Sequence, residues 1–414
     1  MFKDLTFEQI VRLIDLCHKN NIKHIHLLGG EPLIHRNILD IIKLIRSKNM
    51  TVSLTTNATL LSLDLANQLV MLVNTIFVSI DGVRKKTFEF IRGKDTFEKT
   101  LNSISILRDV IKNRKANCNI VISFTMTNYN INEIPLLPDF VKKLKIKQVN
   151  LSCLYESGNS CRKEHNLRYD IKNVLMRLEK MCIRLEHIKD PPQIALELRP
   201  RFAVYLNRRF YKQSSIKYVP EYSKCLAGGP LFYIEANGLV HPCHATNNKS
   251  GKVLQQERII IYKDIRINKY KGMFENNPYF LSFNNLKSSK YKEKLKTCQD
   301  CGLVGVCDPC PITLLGKKNV PECESLKKQE IKYYDSLLSL IPTIRRNRFN
   351  YYKNITDLKN PVCKEITDLL IKKITIKEII NKLSKKYIDV SKENILKDVC
   401  EYLLDLRRIG LVKF

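Results

Sequence analysis

Ile22-Lys-His-Ile-His-Leu-Leu28, followed at once by Gly29-Gly30-Glu31-Pro32, is the stretch on which the fold turns. A short apolar run stopped by two glycines predicts a buried strand ending in a sharp turn. Upstream, Ile10, Leu13, Ile14 and Cys17 recur at helical spacing, so residues 6–20 are expected as an amphipathic helix, with Thr6-Phe-Glu-Gln at its start. Downstream the same two periods alternate. The pattern predicts helix 36–48, strand Thr51–Thr55, helix 62–72, strand Thr75–Ile80, a helical stretch 95–113, strand Asn119–Met126, helix 131–144 and strand Gln148–Leu154. Repeated strand–helix alternation argues for a parallel α/β sheet or partial barrel, with functional loops at the carboxyl ends of the strands.

Those strand ends share a character. They carry Gly29-Gly30-Glu31-Pro32, then Thr55-Thr56-Asn57, then Ser79-Ile-Asp81-Gly82 with Arg92-Gly93 expected in the following loop. The fourth ends near Thr127-Asn128 and the last leads to Glu156-Ser-Gly158. Each alone is an ordinary turn or helix cap. Five in register point to a polar ligand held by backbone groups and hydroxyls.

A second signal lies far downstream. Cys298-Gln-Asp-Cys301 and Cys307-Asp-Pro-Cys310 enclose Gly302 and Gly305, with Cys225 and Cys243 before them and Cys323 after. Two residues between thiolates let both sulfurs converge on one centre. Spacing alone leaves iron–sulfur, a structural zinc ribbon and disulfides open. Met1-Phe-Lys-Asp is not followed by an apolar export segment, which predicts a cytoplasmic, reducing setting and favours metal over disulfide. The apolar run Leu69–Ile80 is broken by Asn74 and too short to span a bilayer, so no membrane partner is expected.

The chain has 414 residues, 44% of them hydrophobic and 27% charged, enough for two or three domains with full cores. Its net charge of +30 is spread along the sequence and is read as compositional rather than as a nucleic-acid footprint. Helix 166–189 breaks at Asp190-Pro-Pro192. Arg199, Arg201, Arg208 and Arg209 then fall among Phe202, Tyr205, Phe210 and Tyr211, as either a basic wall for an acidic partner or a solvated helix face. After Cys323 a helix 324–341 reaches Pro342, and Arg345, Arg346, Arg348, Phe349, Tyr351 and Tyr352 form a basic aromatic linker. A last module starts near Pro361. Its first stripe is Ile366, Leu369 and Leu370; Thr375-Ile-Lys-Glu378 is a capping box; Ser391 caps a third helix carrying Ile395, Val399, Leu403 and Leu406, stopped by Gly410. Three short helices in this order suggest a winged helix. Residues 361–414 hold 12 basic and 8 acidic side chains, a net of +4, about an even share of the whole, so nucleic acid is not the expected partner.

The motifs at the first three strand ends, in this order, resemble the radical S-adenosylmethionine superfamily over roughly residues 6–160. The resemblance implies that Gly30 and Glu31 receive the amino group of the nucleotide's methionine, that Ser79 lies near the ribose, and that Arg92 lies near the carboxylate. The cofactor-binding set it implies is Gly29, Gly30, Glu31, Pro32, Thr56, Asn57, Ser79, Asp81, Arg92 and Asn128. The cysteine region resembles the SPASM domain of peptide-maturing enzymes, with Gly238-x4-Cys243 in place and two rather than three residues before Cys310. That likeness implies two auxiliary [4Fe–4S] clusters: Cys298, Cys301, Cys307 and Cys323 on one, Cys225, Cys243 and Cys310 on the other, whose fourth ligand is not evident. The superfamily's C-x3-C-x2-C has no match here, since Cys17, Cys118, Cys153, Cys161 and Cys182 lack the spacing. Either the reading frame is truncated or the radical-generating cluster is lost; truncation is favoured because the nucleotide-binding residues remain. The last module resembles leader-peptide recognition domains.

The expected architecture is therefore α/β: a partial (β/α)6-type barrel lacking its first strand over 1–165, a connector 166–220, a SPASM domain 221–330, a linker 331–360 and a winged-helix-like module 361–414. The expected function is hydrogen abstraction from a ribosomally made precursor peptide, with S-adenosylmethionine as cofactor and an electron donor protein as second partner. The alternatives are a non-catalytic iron–sulfur peptide scaffold and a zinc-ribbon nucleic-acid binder.

Overall fold

The computed structural model describes residues 4–154, 170–197, 200–210, 216–218, 231–243, 259–260, 321–340, 342–344, 361–370, 372–408 and 411–414. The chain divides into two compact units, Met1–Pro200 with Lys217–Val320, and Arg201–Ile216 with Pro321–Phe414. Among the described residues no helix is long and apolar enough to cross a membrane.

The first unit opens with helix α1 (Phe7–Lys19), started by a reciprocal capping box between Thr6 and Gln9. Strand β1 (His24–Leu27) follows, then α2 (Ile38–Ser47), β2 (Thr51–Thr56), α3 (Leu63–Leu72), β3 (Thr75–Ser79), α4 (Lys85–Arg92), α5 (Phe97–Arg114), β4 (Asn119–Met126), α6 (Leu137–Lys143), β5 (Gln148–Cys153), α7 (Ile171–Glu186) and β6 (Gln193–Glu197). The six strands pair in chain order, all parallel. Sequential parallel strands joined by right-handed crossovers place every helix on one face, which is the topology of a partial barrel.

Register gives the two faces opposite chemistry. One carries Leu27, Leu54, Ile76 and Ile120 side by side, then Ile122 beside Val149, and Phe124 beside Leu151 and Leu196. Leu54, Ile76, Ile122, Phe124, Val149, Leu151 and Leu196 are wholly buried there, as are Ile42 and Ile45 of α2. The other face carries His24 and His26, Thr51, Ser53 and Thr55, Thr75, Phe77 and Ser79, Ser123 and Thr125, Asn150 and Ser152, and Glu197. Strand side chains alternate between faces, so this second face is lined mostly with hydroxyls, amides and imidazoles, with Phe77, Val121 and Ala195 among them.

Four expectations are corrected. β1 is not a buried strand: its residues alternate exposed and half-buried, because His24 and His26 stand on the polar face. The helical stretch after β3 is two helices, and Arg92 is the last residue of α4 rather than a loop residue. Residues 131–144 begin as a 3-10 segment, Ile131–Leu136, because Pro135 inside it has no N–H to donate. The sheet also continues past residue 165: behind Asp190-Pro-Pro192, Gln193-Ile-Ala-Leu-Glu197 pairs with β5, and β7 (Ile216–Tyr218) follows it at the sheet edge.

Gly82 illustrates how tightly the β3–α4 corner is built. A Cβ there would lie 2.5 Å from the backbone nitrogen of Phe88 and 2.8 Å from its Cα. Neither atom can yield without moving α4. Gly82→Ala is expected to cost about 1–3 kcal/mol, read as a lower urea midpoint with an unchanged slope.

A small antiparallel sheet completes the described part of this unit: β8 (Tyr233–Ile234), β9 (Leu239–His241) and β10 (Ile259–Ile260). Its first turn contains Gly238 at φ +84°, and buried His241 bonds Glu235 at 2.9 Å. Cys243 lies two residues beyond the end of β9.

The second unit contains α8 (Pro200–Arg209), α9 (Pro321–Leu337), α10 (Pro361–Leu370), α11 (Ile376–Lys386) and α12 (Lys392–Arg408). β11 (Thr343–Ile344) pairs antiparallel with β12 (Val412–Lys413). Thr375 and Glu378 form the expected capping box, and Ser391 accepts from the N–H of Asn394. Ile376, Ile379, Ile380, Leu383, Val399, Leu403 and Leu404 make the core, joined by Tyr334 and Leu337 of α9. The basic wall expected around residue 208 is neither wall nor solvated face. Arg208 is largely buried and pairs with Glu401 at 2.9 Å and Asp405 at 3.0 Å. Arg209 bonds the Tyr205 hydroxyl at 2.7 Å and lies over the Tyr333 ring. α8, expected in a connector, is thus an integral helix of this unit.

Candidate functional site

The site is assembled from the carboxyl ends of β1 to β4. At the first, Gly29 and Gly30 are exposed, and a Cβ on either would meet nothing within 4 Å. Packing does not demand glycine here; the space above the turn is open. Gly29 has φ +156°, a conformation few side chains share. Glu31 caps a single 3-10 turn, Pro32–Ile34, and ties the first two strand ends together. Its Oε1 accepts from the Leu33 N–H at 3.2 Å and the Thr56 hydroxyl at 2.6 Å, and its Oε2 accepts from the Asn57 N–H at 2.7 Å. A carboxylate offers about four acceptor positions. Three are taken, which leaves room on Oε2 for one more donor.

Thr56 is buried, and its hydroxyl also accepts from the Ala58 N–H at 2.9 Å. The Asn57 side chain folds back on its own loop through Thr59, while its carbonyl receives the Thr100 hydroxyl from α5. Asn57 thus has its N–H, its backbone carbonyl and its Oδ1 engaged within the protein, and serves the site by holding Glu31.

At the third end Ser79 lies on the polar face, and Asp81 is buried. Sequence reasoning placed Asp81 against the ligand. Its carboxylate is instead engaged within the protein: Oδ1 accepts the Thr125 N–H at 2.8 Å, and Oδ2 pairs with Arg92 Nε at 2.6 Å and Nη2 at 2.5 Å. At the fourth end the Thr127 hydroxyl and the side-chain amide oxygen of Asn128 are buried without a hydrogen-bond partner among the described residues. Orphaned polar atoms of this kind are costly unless something fills the space beside them.

Two buried residues that the sequence did not flag hold these ends in place. Asn130 donates to the Asp81 carbonyl at 3.0 Å and the Thr125 carbonyl at 2.8 Å, and accepts the Thr127 N–H at 2.7 Å. Glu133 accepts from the N–H groups of Val83 and Arg84 at 2.6 and 3.1 Å and from the Thr87 hydroxyl at 2.6 Å. It therefore supplies the N-terminal cap that Arg84 does not give α4. An acid inside the apolar run Ile131-Asn-Glu-Ile134 was the available signal.

His24 and His26 stand below this rim on the polar face. His24 bonds the hydroxyls of Thr51 and Ser53, each at 2.8 Å, and His26 bonds Thr55 at 2.8 Å while stacking on Phe77. Loss of hydration among these neighbours pushes His24 down, and pushes His26, with a further contribution from His24, down to about 4. Both are neutral at pH 7. The unfolded chain protonates near pH 6.5. The contribution of His26 is therefore full above about pH 6.5 and is lost as pH falls toward 4, and that of His24 changes in the same direction. Urea midpoints should fall over that window, and the slope should flatten in a His24→Asn, His26→Asn variant.

The expected metal ligands are placed only in part. Cys243 follows β9 and Cys323 is buried near the start of α9; Cys225, Cys298, Cys301, Cys307 and Cys310 lie outside the described residues, as do Glu156-Ser-Gly158. Among the described residues no three metal-binding side chains gather. Cys17 and Cys118 are buried thiols, which pushes them up to about 11 and about 12, so both stay protonated. The strand ends thus bring together a half-buried carboxylate, a guanidinium anchored by Asp81 and two buried, unpartnered polar atoms, a set suited to a polar ligand.

Two family models match parts of the chain. The Radical SAM superfamily model matches residues 1–141, and the model described as coenzyme PQQ synthesis protein D (PqqD) matches residues 359–412. An AdoMet-dependent heme synthase of Methanosarcina barkeri is 24% identical over 315 residues, 74% of this chain and 82% of that protein. A probable GTP 3′,8-cyclase of Saccharolobus solfataricus is 26% identical over 190 residues, 45% of this chain, and the chain spans only 60% of that protein's length. Among solved structures, Streptococcus suis SuiB bound to S-adenosylmethionine gives a TM-score of 0.55 at 17% identity, covering 75% of this chain and 67% of SuiB. Native anSMEcpe with bound AdoMet gives 0.56 at 18%, covering 80% of this chain and 88% of that one. At these identities the structural likeness speaks to fold.

Proposed function

We propose, from the premise that residues 1–141 are a radical SAM domain and residues 359–412 a PqqD-type domain, that the chain binds S-adenosylmethionine at the ends of β1 to β4 and modifies a ribosomally made peptide. The observation that carries the nucleotide reading is Glu31, a carboxylate with one acceptor position left beside an open glycine turn. Glu31 would take the amino group, Arg92 the carboxylate and Ser79 the ribose. The unsatisfied atoms of Thr127 and Asn128 would take polar groups of the same ligand. Bound S-adenosylmethionine would supply hydrogen-atom abstraction chemistry once an electron from a reduced iron–sulfur cluster cleaves it. The polar face below the rim would seat the substrate segment, and its neutral imidazoles and hydroxyls would hold peptide groups without adding charge.

The peptide reading rests on the PqqD-type domain, and on a fold shared with SuiB, which has been solved bound to precursor peptide SuiA. An extended peptide can add to a sheet edge in the second unit, where β11 and β12 are short. The seven cysteines from Cys225 to Cys323 would carry two auxiliary [4Fe–4S] clusters, and an electron donor protein would serve the reaction. A haem precursor is the second reading, favoured by the 315-residue match to the heme synthase.

The test is anaerobic incubation of the full chain, joined to an N-terminal segment carrying C-x3-C-x2-C and reconstituted with iron and sulfide, with reductant, S-adenosylmethionine and a precursor peptide encoded beside its gene. The reading expects a mass change in the peptide that requires S-adenosylmethionine. An unchanged peptide alongside a converted haem precursor would move the assignment to the second reading.

A further inference from the structure

Arg92 is held in an unusual way for a residue meant to receive an anion. Its Nε and Nη2 both lie on Oδ2 of Asp81, at 2.6 and 2.5 Å. These two nitrogens form one edge of the planar guanidinium fork. The end edge, Nη1 with the second hydrogen of Nη2, has no partner among the described residues. The guanidinium side chain is one-third exposed, while Asp81 is only 6% exposed. Asp81 is itself immobile. Its Oδ1 holds the Thr125 N–H, and its carbonyl oxygen holds the Asn130 amide, which also grips Thr125 and Thr127. The helix that carries Arg92 is fixed at its other end by Glu133.

Electrostatics alone would argue against this design. A buried carboxylate beside Arg92 cancels much of the positive field that an incoming anion would feel. What the carboxylate provides instead is orientation. A free arginine carries about 2 kcal/mol of rotamer entropy, and an anchored fork has already lost most of it before the ligand arrives. The surviving edge matches a carboxylate in two parallel hydrogen bonds.

We propose that Asp81 is the positioning residue for the anion end of the site: it fixes Arg92 by one edge so that the other edge receives the methionine carboxylate of the nucleotide. This rests on the nucleotide reading given above. It also reassigns Asp81 from ligand contact to orientation, and it makes an unusual sign prediction. If charge dominates, neutralising Asp81 strengthens binding. If orientation dominates, neutralising it weakens binding.

The experiment measures equilibrium binding of two probes to the full chain: S-adenosylmethionine, and 5′-deoxy-5′-methylthioadenosine, which keeps the nucleoside but lacks the amino acid end. Asp81→Asn preserves shape and the acceptor for Thr125. It should weaken S-adenosylmethionine binding ~10–100-fold, by analogy with the loss of residues that orient other ligating groups. Methylthioadenosine binding should stay unchanged, a split that general loosening of the fold would not produce. Should Asp81→Asn fail to fold, Arg92→Lys reports the same axis, because lysine can pair with Asp81 but has no second edge; the same selective loss is expected. Unchanged or tighter S-adenosylmethionine binding in Asp81→Asn, or undiminished binding in Arg92→Lys, overturns the proposal while leaving the nucleotide site standing. A wild-type chain that binds neither probe would remove the nucleotide site itself, and this proposal with it.

Discussion

Glu31→Ala is expected to abolish measurable S-adenosylmethionine binding and to loosen the first two strand ends together. The carboxylate accepts the Asn57 N–H at 2.7 Å and the Thr56 hydroxyl at 2.6 Å, the latter from a threonine that is 1% exposed. Leaving buried donors unmet costs about 1–3 kcal/mol each. Glu31 itself is half-buried, so water reaches part of the vacated space, and a total of about 2–4 kcal/mol is expected. Glu31→Gln separates the two effects. It keeps the shape and one acceptor oxygen, so stability should fall by only about 1–2 kcal/mol. It loses the charge that an ammonium group needs, so binding should still fall about 100-fold, equivalent to about 2.7 kcal/mol. Urea unfolding and equilibrium binding on the same two variants check both numbers.

Glu133→Ala should have the largest effect on stability of any single change near the site. The residue is 2% exposed and supports three donors: the N–H groups of Val83 and Arg84 and the hydroxyl of Thr87. It also places a negative charge at the start of α4, where the helix dipole favours it. Removing a buried carboxylate that meets three donors is expected to cost about 3–5 kcal/mol. The damage should be directional. Hydrogen exchange ought to accelerate across residues 83–92, which carry Arg92, while strands β4 and β5 stay protected. Uniform acceleration, or a loss below about 1 kcal/mol, would mean that Glu133 does not anchor the helix.

What the sequence revealed, and what it hid, divides along the range of the interactions involved. Gly29-Gly30-Glu31-Pro32 and Thr56-Asn57 were legible because each motif is a local turn at the end of a local apolar period. Thr6, Thr375 and Ser391 were legible for the same reason: a cap acts within one helical turn. α4 was not. Only Phe88 of its eight residues is buried, Phe90 is exposed, and its cap arrives from Glu133, about fifty residues away. Asn130 is invisible for the same reason, since its three partners lie on two strand ends. Arg208 was misread because its aromatic, basic surroundings look like a surface, while its acids, Glu401 and Asp405, sit nearly two hundred residues on. His24 and His26 were different. Lys-His-Ile-His-Leu already alternates with period two, and that signal for a half-polar strand was available in the stretch that set the fold.

Together these elements describe one piece of chemistry: four strand ends, braced by Glu31, Asn130 and Glu133, around an anchored arginine and an open glycine turn. Titration of S-adenosylmethionine into the full wild-type chain, with Glu31→Gln in parallel, bears on that description most directly. One molecule bound per chain, with affinity about 100-fold weaker in the variant, is the result it predicts. Absence of binding by the wild-type chain, or equal binding by both proteins, would contradict it.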